Sequence, residues 1–444
     1  MTKQGKFSRR GFLKAGAVLF PTIIPASARG ADGFVAPSNR VVIGCVGVGG
    51  QGSGNMRNFM GMADTQVVAV CDVDYGLNGE RRGRPFGIKP AQEEVRAHYA
   101  KRHDNPKQTP PDGYVDYREL CAREDIDAVS IATPDHWHAL VTLAAIRGGK
   151  DVYCEKPLAN TVVEGRAVAD AVARYGAVLQ TGTHERSRPS VRYACELVRN
   201  GRIGKLTSIR VNMPNTDGHH MLLHEEDKPQ PVIPVPEGFD YDFWLGPSPA
   251  VPYTPYRANM HWRFNFDYGG GEMSDRGAHI IDIAQLAMNM NHSGPVSFEG
   301  KGTRFHGGIF NTFHEYEFRC DYGNGIPLYG SSQAPRGIRF EGSDGWIFIH
   351  IHGGRLEASD PDLLREKILP GEVHLGRTKG HHENFIECMR TRRAPVADAE
   401  TGHRTGSVCH LLNIAMLTGR KLKWDPVREE ILDDTGASQM LGKA

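Results

Sequence analysis

Gly47-Val48-Gly49-Gly50-Gln51-Gly52 is the stretch that decides the fold of the first half of this 444-residue chain. A β-branched run at residues 40–46 precedes it, and a helical pattern at residues 53–62 follows it. A G-x-G-x-x-G turn between a strand and a helix is typical of a dinucleotide-binding unit. Glycine-rich turns alone are common, so the prediction depends on this strand and this helix.

The glycines of this turn have separate tasks. Gly47 makes the tight turn, Gly49 lets the backbone approach a pyrophosphate, and Gly52 allows the helix to pack closely on the strand. Gly50 and Gln51 lie inside the loop, where the free N–H groups of a helix start face the phosphates. These residues are therefore predicted to bind the cofactor.

Asp72 indicates which dinucleotide binds. It ends a second strand pattern, residues 66–71, about 20 residues after the glycine turn, where an acid accepts hydrogen bonds from the ribose hydroxyls. A carboxylate there repels the 2′-phosphate of NADP, and no arginine follows it directly, because Val73 and Asp74 do. Asp72 therefore favours NAD over NADP.

The remainder of the first half alternates strand and helix patterns, which predicts a parallel, doubly wound α/β sheet of the Rossmann type. Two of its strands end in polar turns. One is followed by Thr133-Pro134 with His138 nearby, and the other by Glu155-Lys156-Pro157. Carboxyl ends of parallel strands are where open α/β sheets bind ligands, although a solvated strand end explains each turn taken alone.

Beyond residue 183 the alternation stops. Strand patterns with glycine-containing turns at residues 296–357 predict an α+β domain with a large, mostly antiparallel sheet. A helix is predicted from Ser274, as its N-cap, to Met290. Asp275 and His279 are four residues apart, so we expect both side chains on one helix face.

These patterns divide the chain into segments with different expected roles. The predicted segments are an export signal at residues 1–28, a linker at 29–39, an NAD-binding Rossmann domain at 40–183, a substrate and oligomerisation domain at 184–426, and a C-terminal tail at 427–444.

The amino terminus resembles a twin-arginine export signal. Ser8-Arg9-Arg10-Gly11-Phe12-Leu13-Lys14 precedes an apolar run, residues 15–24, which is too short to span a bilayer. Ala26-Ser27-Ala28 then supplies the small residues of a cleavage site. We expect export to the periplasm by the twin-arginine translocase without a stable membrane span in the mature chain. Retention as an anchor is the alternative.

Composition excludes some partners. A net charge of +1 argues against nucleic acid, and the 8 scattered cysteines form no CxxC pair, so we expect mostly buried free thiols. His219, His220 and His224 with Glu225 are spaced as zinc ligands can be, but their loop offers no second ligand set. We therefore predict no metal site.

The motifs together resemble the Gfo/Idh/MocA oxidoreductases over residues 40–426, which implies that the last helices of the substrate domain pack back on the Rossmann domain. Two segments resemble exported members of that family, namely Phe243-Trp244-Leu245-Gly246-Pro247 and Pro252-Tyr253-Thr254-Pro255-Tyr256. The resemblance rests on Gly47-Val48-Gly49, on Thr133-Pro134 with His138, and on Glu155-Lys156-Pro157. It implies that Thr133-Pro134 lies along NAD, and that Glu155 and Lys156 meet the nicotinamide ribose and the substrate hydroxyl. The D-x-x-x-H spacing of Asp275 and His279 matches the catalytic pair of the family.

The expected chemistry is hydride transfer between nicotinamide and a hydroxyl-bearing carbon of a sugar, glycoside or polyol. His279 is the candidate base, Asp275 binds substrate or holds the imidazole, and Lys156 stabilises charge on the reacting oxygen. Lys156 as the base is the alternative. Candidate substrate-binding residues are His184, Arg186, Tyr256 and Arg263.

Export has a consequence for the cofactor, because the periplasm is not expected to hold a nucleotide pool. NAD should then be bound tightly and recycled in place. Net oxidoreduction is favoured, because this chain keeps Lys156 in the Glu-Lys-Pro stretch, whereas the resemblance implies that the related glycosidases of family 109 replace this lysine. Transient oxidation during glycoside cleavage, elimination or epimerisation, as in the related glycosidases of family 109, is the alternative, and a non-catalytic sugar- or NAD-binding module is the third. A homo-oligomer is expected.

Overall fold

A computed structural model describes residues 39–76, 80–81, 84–216, 223–258 and 260–442. The predicted export signal, most of the linker, and His219 and His220 lie outside the described residues. Within the described ranges, no helix has both the length and the apolar character needed to cross a membrane. The cysteines, all 8 of them, are buried and free, as predicted.

The first domain is built on a six-stranded sheet in which each pair of neighbouring strands is parallel. Its strand order is β5-β2-β1-β6-β7-β8. The strands, with a short separate hairpin of β3 and β4, are β1 Val41–Val46, β2 Thr65–Cys71, β3 Glu80–Arg81, β4 Arg84–Pro85, β5 Asp112–Tyr114, β6 Ala128–Ile131, β7 Asp151–Cys154 and β8 Leu179–Thr181. The predicted parallel, doubly wound sheet is thus confirmed, and the order reverses between β1 and β6, where such sheets bind ligands.

Helices pack on both faces of this sheet and enclose two apolar clusters. They are α1 Gly50–Gly61, α2 Ile88–Arg102, α3 Tyr117–Cys121, α4 Asp135–Arg147 and α5 Val162–Tyr175. Helix α1 begins inside the glycine turn, and α4 begins directly after Pro134. Both helix starts therefore lie at the carboxyl edge of the sheet.

The second domain contains a nine-stranded sheet, ordered β15-β14-β13-β9-β12-β11-β10-β16-β17. Its strands are β9 Leu206–Asn212, β10 Pro295–Arg304, β11 Phe313–Tyr322, β12 Pro327–Ser331, β13 Gly337–Gly342, β14 Trp346–Ile349, β15 Leu356–Ala358, β16 Leu422–Asp425 and β17 Glu430–Leu432. Strands β9 and β12 pair in parallel, and the other paired neighbours are antiparallel, which confirms the predicted mostly antiparallel sheet.

Helices cover one face of the large sheet and complete the main apolar core. The helices of this domain are α6 Pro189–Arg199, α7 Leu223–Glu226, α8 Tyr241–Leu245, α9 Glu272–Asp275, α10 Gly277–Met288, α11 His381–Thr391, α12 Ala399–Thr418 and α13 Thr435–Ser438. Helix α10 is buried on nearly every side between the sheet, α6 and α12. Residues at its first turn are thereby held rigidly.

Two details differ from the sequence-based expectation. Ser274 is not an N-cap, because Gly271, at φ +67, supplies the turn that starts α9, and the Ser274 hydroxyl bonds the Gly270 N–H at 3.0 Å. The helix is then interrupted at Arg276 before α10 begins. The predicted tail, residues 427–444, instead contains β17, which pairs with β16 because its apolar side chains complete the core.

The two domains contact each other through apolar packing and through ion pairs. Phe385 on α11 lies in the same apolar cluster as Phe59 and Tyr153 of the first domain. Arg166 on α5 forms a bidentate pair with Glu400 on α12, at 2.9 and 2.8 Å. The cleft between the domains is therefore bounded by well-connected elements.

Candidate active site

At Gly47 and Gly52, the glycine turn leaves no room for a side chain, as the sequence predicted. Gly47 has φ +77, and a Cβ there would lie 2.7 Å from the Ala132 carbonyl oxygen. A Cβ on Gly52 would lie 1.8 Å from the Gly47 oxygen, whereas one on Gly54 in the same helix would meet nothing within 4 Å. Gly52 is thus required for the close approach of α1 to the turn.

Asp72 is held at the end of β2 by backbone donors. Its carboxylate accepts from the Val48 N–H at 2.9 Å and from the Asp74 N–H at 3.1 Å. Burial raises the pKa of Asp72 to about 6, against the lowering effect of these hydrogen bonds. A carboxylate has more lone pairs than these two donors use, so Asp72 can still accept from ribose hydroxyls.

A segment of the second domain, residues 236–258, lies across this end of the cleft, and we call it the strap. Phe239 forms an antiparallel bridge with Asp74, and the Tyr75 N–H donates to the Gly238 carbonyl at 2.9 Å. The Trp137 indole stacks on Phe243 at 5.3 Å, and its N–H donates to the Trp244 carbonyl at 2.9 Å. Backbone and aromatic contacts together fix the strap to the first domain.

Two adjoining cavities lie in the cleft, and the strap lines the first of them. Their volumes, including space open to solvent, are about 1320 and 1300 Å³. The first, at the nucleotide end, is rich in aromatic side chains from both domains. The second is polar and contains the candidate catalytic residues. The cavities share Gln51, Ala132, Thr133, Trp262 and Arg263 in their walls. They form one continuous cleft.

The cleft fits a dinucleotide. Among the described residues, the Thr133 hydroxyl is buried and has no protein partner. The backbone nitrogen of Thr133 lies 2.8 Å from the position that a Cβ on Gly47 would take. His138 holds this turn in place, because its ring nitrogens lie 2.9 Å from the Thr133 carbonyl and 2.6 Å from the Pro157 carbonyl. Burial lowers the pKa of His138 to about 4. Its contacts are with the backbone of both polar turns.

Glu155 is positioned by a residue that sequence reasoning missed. Its Oε1 accepts from Asn55 Nδ2 at 2.9 Å. The side-chain Oδ1 of Asn55 in turn accepts from Gln51 Nε2 at 3.2 Å, and it lies 3.2 Å from His382 Nε2. Asn55 lies one helical turn after Gln51, which is a local signal, whereas His382 comes from α11 and no local pattern points to it.

Lys156 crosses from the first domain to the second. Its Nζ donates to Asp275 Oδ1 at 2.6 Å and to the Asp275 carbonyl oxygen at 2.8 Å. Arg263, whose guanidinium lies over the Trp262 ring, approaches the same Oδ1 at 3.3 Å. The carboxylate of Asp275 therefore holds Lys156 at the edge of the polar cavity.

His279 lies beside this pair on the first turn of α10. It is buried, and its Nδ1 has no hydrogen-bond partner within the described part of the chain. Burial, with the nearby positive charge of Lys156, holds the pKa of His279 well below its usual value. The imidazole is therefore neutral near pH 7 and has a lone pair to accept a proton.

Two further imidazoles surround His279. The ring of His184 lies 4.8 Å away, and that of His352, which sequence reasoning missed, lies 4.9 Å away. One ring nitrogen from each of the three lies within 4.8 Å of the others. We call this group the histidine cluster. His352 comes from the turn between β14 and β15, remote in sequence from the other two.

Two of the predicted substrate residues lie elsewhere. Arg186 is buried and donates to Asp282 Oδ1 at 2.8 Å, so its guanidinium is occupied by this pair. Tyr256 packs against His261 at 4.9 Å, outside the polar cavity. His184 and Arg263 do line that cavity.

A glycine turn on a parallel sheet, facing a lysine and a buried histidine across one cleft, is the arrangement of a nicotinamide-dependent oxidoreductase. Family models agree with this class. Residues 41–183 match the NAD-binding Rossmann fold of the Gfo/Idh/MocA oxidoreductases, and residues 189–444 match the C-terminal alpha/beta domain of that oxidoreductase family. The chain therefore belongs to the Gfo/Idh/MocA family.

Several curated proteins are similar over part of their length. A levoglucosan dehydrogenase of Pseudarthrobacter phenanthrenivorans is 30% identical over 199 residues, which is 45% of this chain and 41% of that protein. A 1,5-anhydro-D-fructose reductase of Ensifer adhaerens is 29% identical over 307 residues, 64% of this chain and 80% of the reductase. A glycosyl hydrolase family 109 protein of Shewanella pealeana is 30% identical over 191 residues, 38% of each chain.

Solved structures share the fold over most of this chain. An oxidoreductase domain protein from Kribbella flavida superimposes with a TM-score of 0.60, at 20% identity, over 87% of this chain and 99% of that one. At this identity the likeness concerns the fold alone.

Proposed function

We propose that this protein is an NAD-dependent oxidoreductase that acts on a hydroxyl group of a sugar, glycoside or polyol, with NAD held between turnovers. The observation that carries the proposal is the pair of Lys156 and Asp275, which joins the nucleotide domain to the substrate domain beside His279. Relatives named as acting on levoglucosan and anhydrofructose support the substrate class.

The residues of the polar cavity suit this reaction. NAD, held by the glycine turn and Asp72, would supply the acceptor for a hydride from the substrate carbon. Lys156 donates a hydrogen bond to the reacting oxygen and stabilises its negative charge as the C–O bond gains double-bond character. His279 is neutral at pH 7 and accepts the hydroxyl proton, while Asp275 and Arg263 keep Lys156 in position.

NAD is proposed over NADP, and as a resident group. Asp72 supports the first point, because its carboxylate would repel a 2′-phosphate. The strap supports the second, because backbone hydrogen bonds tie it to the first domain over the nucleotide end of the cleft. Nucleotide released by denaturing the purified protein is expected to be NAD. Protein that is nucleotide-free, and active only with added cofactor, would contradict residence.

Transient oxidation coupled to glycoside cleavage is the second candidate function. Similarity to family 109 glycosidases and the extra imidazoles of His184 and His352 favour it. Retention of Lys156 favours net oxidoreduction. Product analysis separates the two: a ketose or lactone with reduced NAD supports oxidoreduction, whereas a free aglycone without net NADH supports cleavage.

Export by the twin-arginine route to the periplasm is also proposed, on the basis of Ser8-Arg9-Arg10-Gly11-Phe12-Leu13-Lys14. Replacing Arg9 and Arg10 with lysine is expected to leave the protein in the cytoplasm. Unchanged periplasmic recovery of that variant would exclude this route.

A homo-oligomer is proposed because the large sheet has an open face. Strand β11 alternates buried Phe318 with exposed Glu317 and Arg319. Sedimentation equilibrium is expected to give a multiple of the chain mass. A monomer at micromolar concentration would contradict it.

A further inference from the structure

The turn between β14 and β15 delivers His352 into the polar cavity in an uncommon conformation. His352 has φ +67, in the left-handed region that favours glycine, and Gly353 and Gly354 follow it. Strained backbone of this kind clusters at ligand sites. The position would be relaxed by glycine, yet the chain places an imidazole there, against the rings of His279 and His184.

Arg336 sets the tautomer of this imidazole. Its Nη1 lies 3.1 Å from His352 Nδ1, and because a guanidinium has only donors, Nδ1 is the acceptor. His352 remains exposed to solvent, but partial removal from water is still the main cause that lowers the pKa of its imidazole to about 4. Arg336, His184 and Lys156 act in the same direction, against Glu185. The neutral ring therefore carries its proton on Nε2. Nothing else within the described ranges bonds that N–H.

This tautomer argues against a metal at the histidine cluster. Zinc needs a lone pair from each imidazole. In His352 the Nδ1 lone pair already accepts from Arg336, and Nε2 carries the proton. The cluster is instead the right size for an oxygen atom. The three ring nitrogens lie no more than 4.8 Å apart, so the point between them is at most about 2.8 Å from each, which is within hydrogen-bond reach.

We propose that His352 is a substrate-binding residue, which donates a hydrogen bond from Nε2 to a hydroxyl oxygen next to the reacting carbon, with Arg336 as its positioning residue. This inference rests on the proposed function, which assigns the reacting hydroxyl to Lys156 and His279. It adds that the substrate class is a sugar with vicinal hydroxyls, because His352 and His184 offer a second hydrogen-bonding position beside the hydroxyl that His279 deprotonates.

A thermodynamic cycle, which combines a substitution of His352 with removal of single hydroxyls from the sugar, tests the hydrogen bond from His352 Nε2. The probes are methyl β-D-glucopyranoside and its monodeoxy derivatives, titrated calorimetrically into the purified protein with its nucleotide. His352→Phe is expected to weaken binding of the parent sugar about tenfold. It should leave unchanged the affinity for the one deoxy sugar that lacks the contacted oxygen. Equal weakening for every sugar, or unchanged affinity for the parent, would overturn the proposal.

Other variants separate binding from structure. His352→Gln retains an N–H donor and is expected to bind within about threefold of wild type. His352→Gly removes the ring and relieves the backbone, so it is expected to melt no lower than wild type while binding as weakly as His352→Phe. A large loss of stability in His352→Gly would show a structural role and contradict the proposal.

A tautomer measurement is independent of both turnover and sugar binding. Imidazole ¹⁵N shifts are expected to place the proton of His352 on Nε2 in wild type and in Arg336→Lys, but on either nitrogen in Arg336→Met. A proton on Nδ1 in wild type, or one zinc per chain that is lost in His352→Phe, would overturn the assignment. Wild-type protein can bind the glucoside, and lose affinity on His352→Phe only when the contacted hydroxyl is present, yet oxidise no sugar. That result would contradict the proposed function and leave this inference standing. Wild type that binds no glucoside would overturn the inference.

Discussion

The two ends of the cleft differ in kind. At the nucleotide end, aromatic rings and backbone hydrogen bonds of the strap close over a turn of glycines. At the substrate end, charged groups and the histidine cluster meet across the domain boundary, with Lys156 held by Asp275. The comparison indicates that one end retains the cofactor and the other performs the chemistry. Changes at each end should therefore affect different measurements.

The largest effect is expected from Lys156→Ala. Loss of its hydrogen bond to the reacting oxygen should lower kcat by roughly a thousandfold, because donors aimed at developing charge contribute about 3–4 kcal/mol. Bound NAD, measured after denaturation, should remain at the wild-type amount. Lys156→Arg is the matched control that keeps the charge but not the geometry. Near-normal turnover of Lys156→Ala, or loss of its NAD, would break the division between the ends.

Gly52→Ala is expected to show the converse effect. Its Cβ would collide with the Gly47 carbonyl oxygen, so α1 must move away from the turn. NAD affinity should fall by roughly a hundredfold, since overpacking of this kind costs about 1–3 kcal/mol. Gly54→Ala in the same helix meets no atom and should bind NAD normally, with stability raised by roughly 0.5–1 kcal/mol. Equal NAD affinity in both variants would exclude the proposed packing role of Gly52.

Gly246→Ala tests the strap. The added Cβ would lie 2.1 Å from the Trp137 ring, which holds the strap to α4. We expect NAD to dissociate roughly thirtyfold faster, for a displacement that costs about 2 kcal/mol. Gly201→Ala is the control, because Gly201 also has a positive φ but no atom within 4 Å of its Cβ position. Similar dissociation rates in the two variants would mean that the strap does not retain NAD.

The smallest effect is expected from pH at Asp72. Its pKa is raised to about 6 in the folded protein without nucleotide, so protonation below that value replaces an acceptor by a neutral carboxyl group. NAD affinity should then fall by roughly tenfold between about pH 7 and about pH 5. Calorimetric titrations across this range check it, and Asp72→Asn should remove the dependence. A pH-independent affinity in wild type would exclude Asp72 as a ribose acceptor.

The nucleotide domain could be predicted from the sequence because its signals are local. The glycine turn and Asp72 are separated by one helix and one strand. Each polar turn follows its strand within a few residues of the sequence, so the strand pattern also locates the turn. The same locality placed Lys156 correctly in the cleft. Residues 214–260 were predicted to form a long loop that covers one end of a sheet. The sequence did not indicate where its strap packs, because the contact between Phe239 and Asp74 joins segments of different domains.

The substrate end was predicted only in part, for a similar reason. Arg186 was predicted to bind the substrate, but the 3₁₀ turn His184–Ser187 directs the arginine into a buried pair with Asp282. His352 was missed because it lies on the turn between β14 and β15, which is remote from His279 in sequence and meets it only in the folded protein. Proximity along the chain does not specify which side chains meet across a sheet.

The most direct test of the central claim uses a glucoside deuterated at its carbinol carbons and the protein with its own bound nucleotide. Anaerobic mixing, without added NAD, is expected to produce reduced nicotinamide that carries deuterium in wild type, and none in Lys156→Ala with its nucleotide retained. Reduced nicotinamide without deuterium, or equal reduction in Lys156→Ala, would contradict direct transfer in a cleft whose chemistry depends on Lys156.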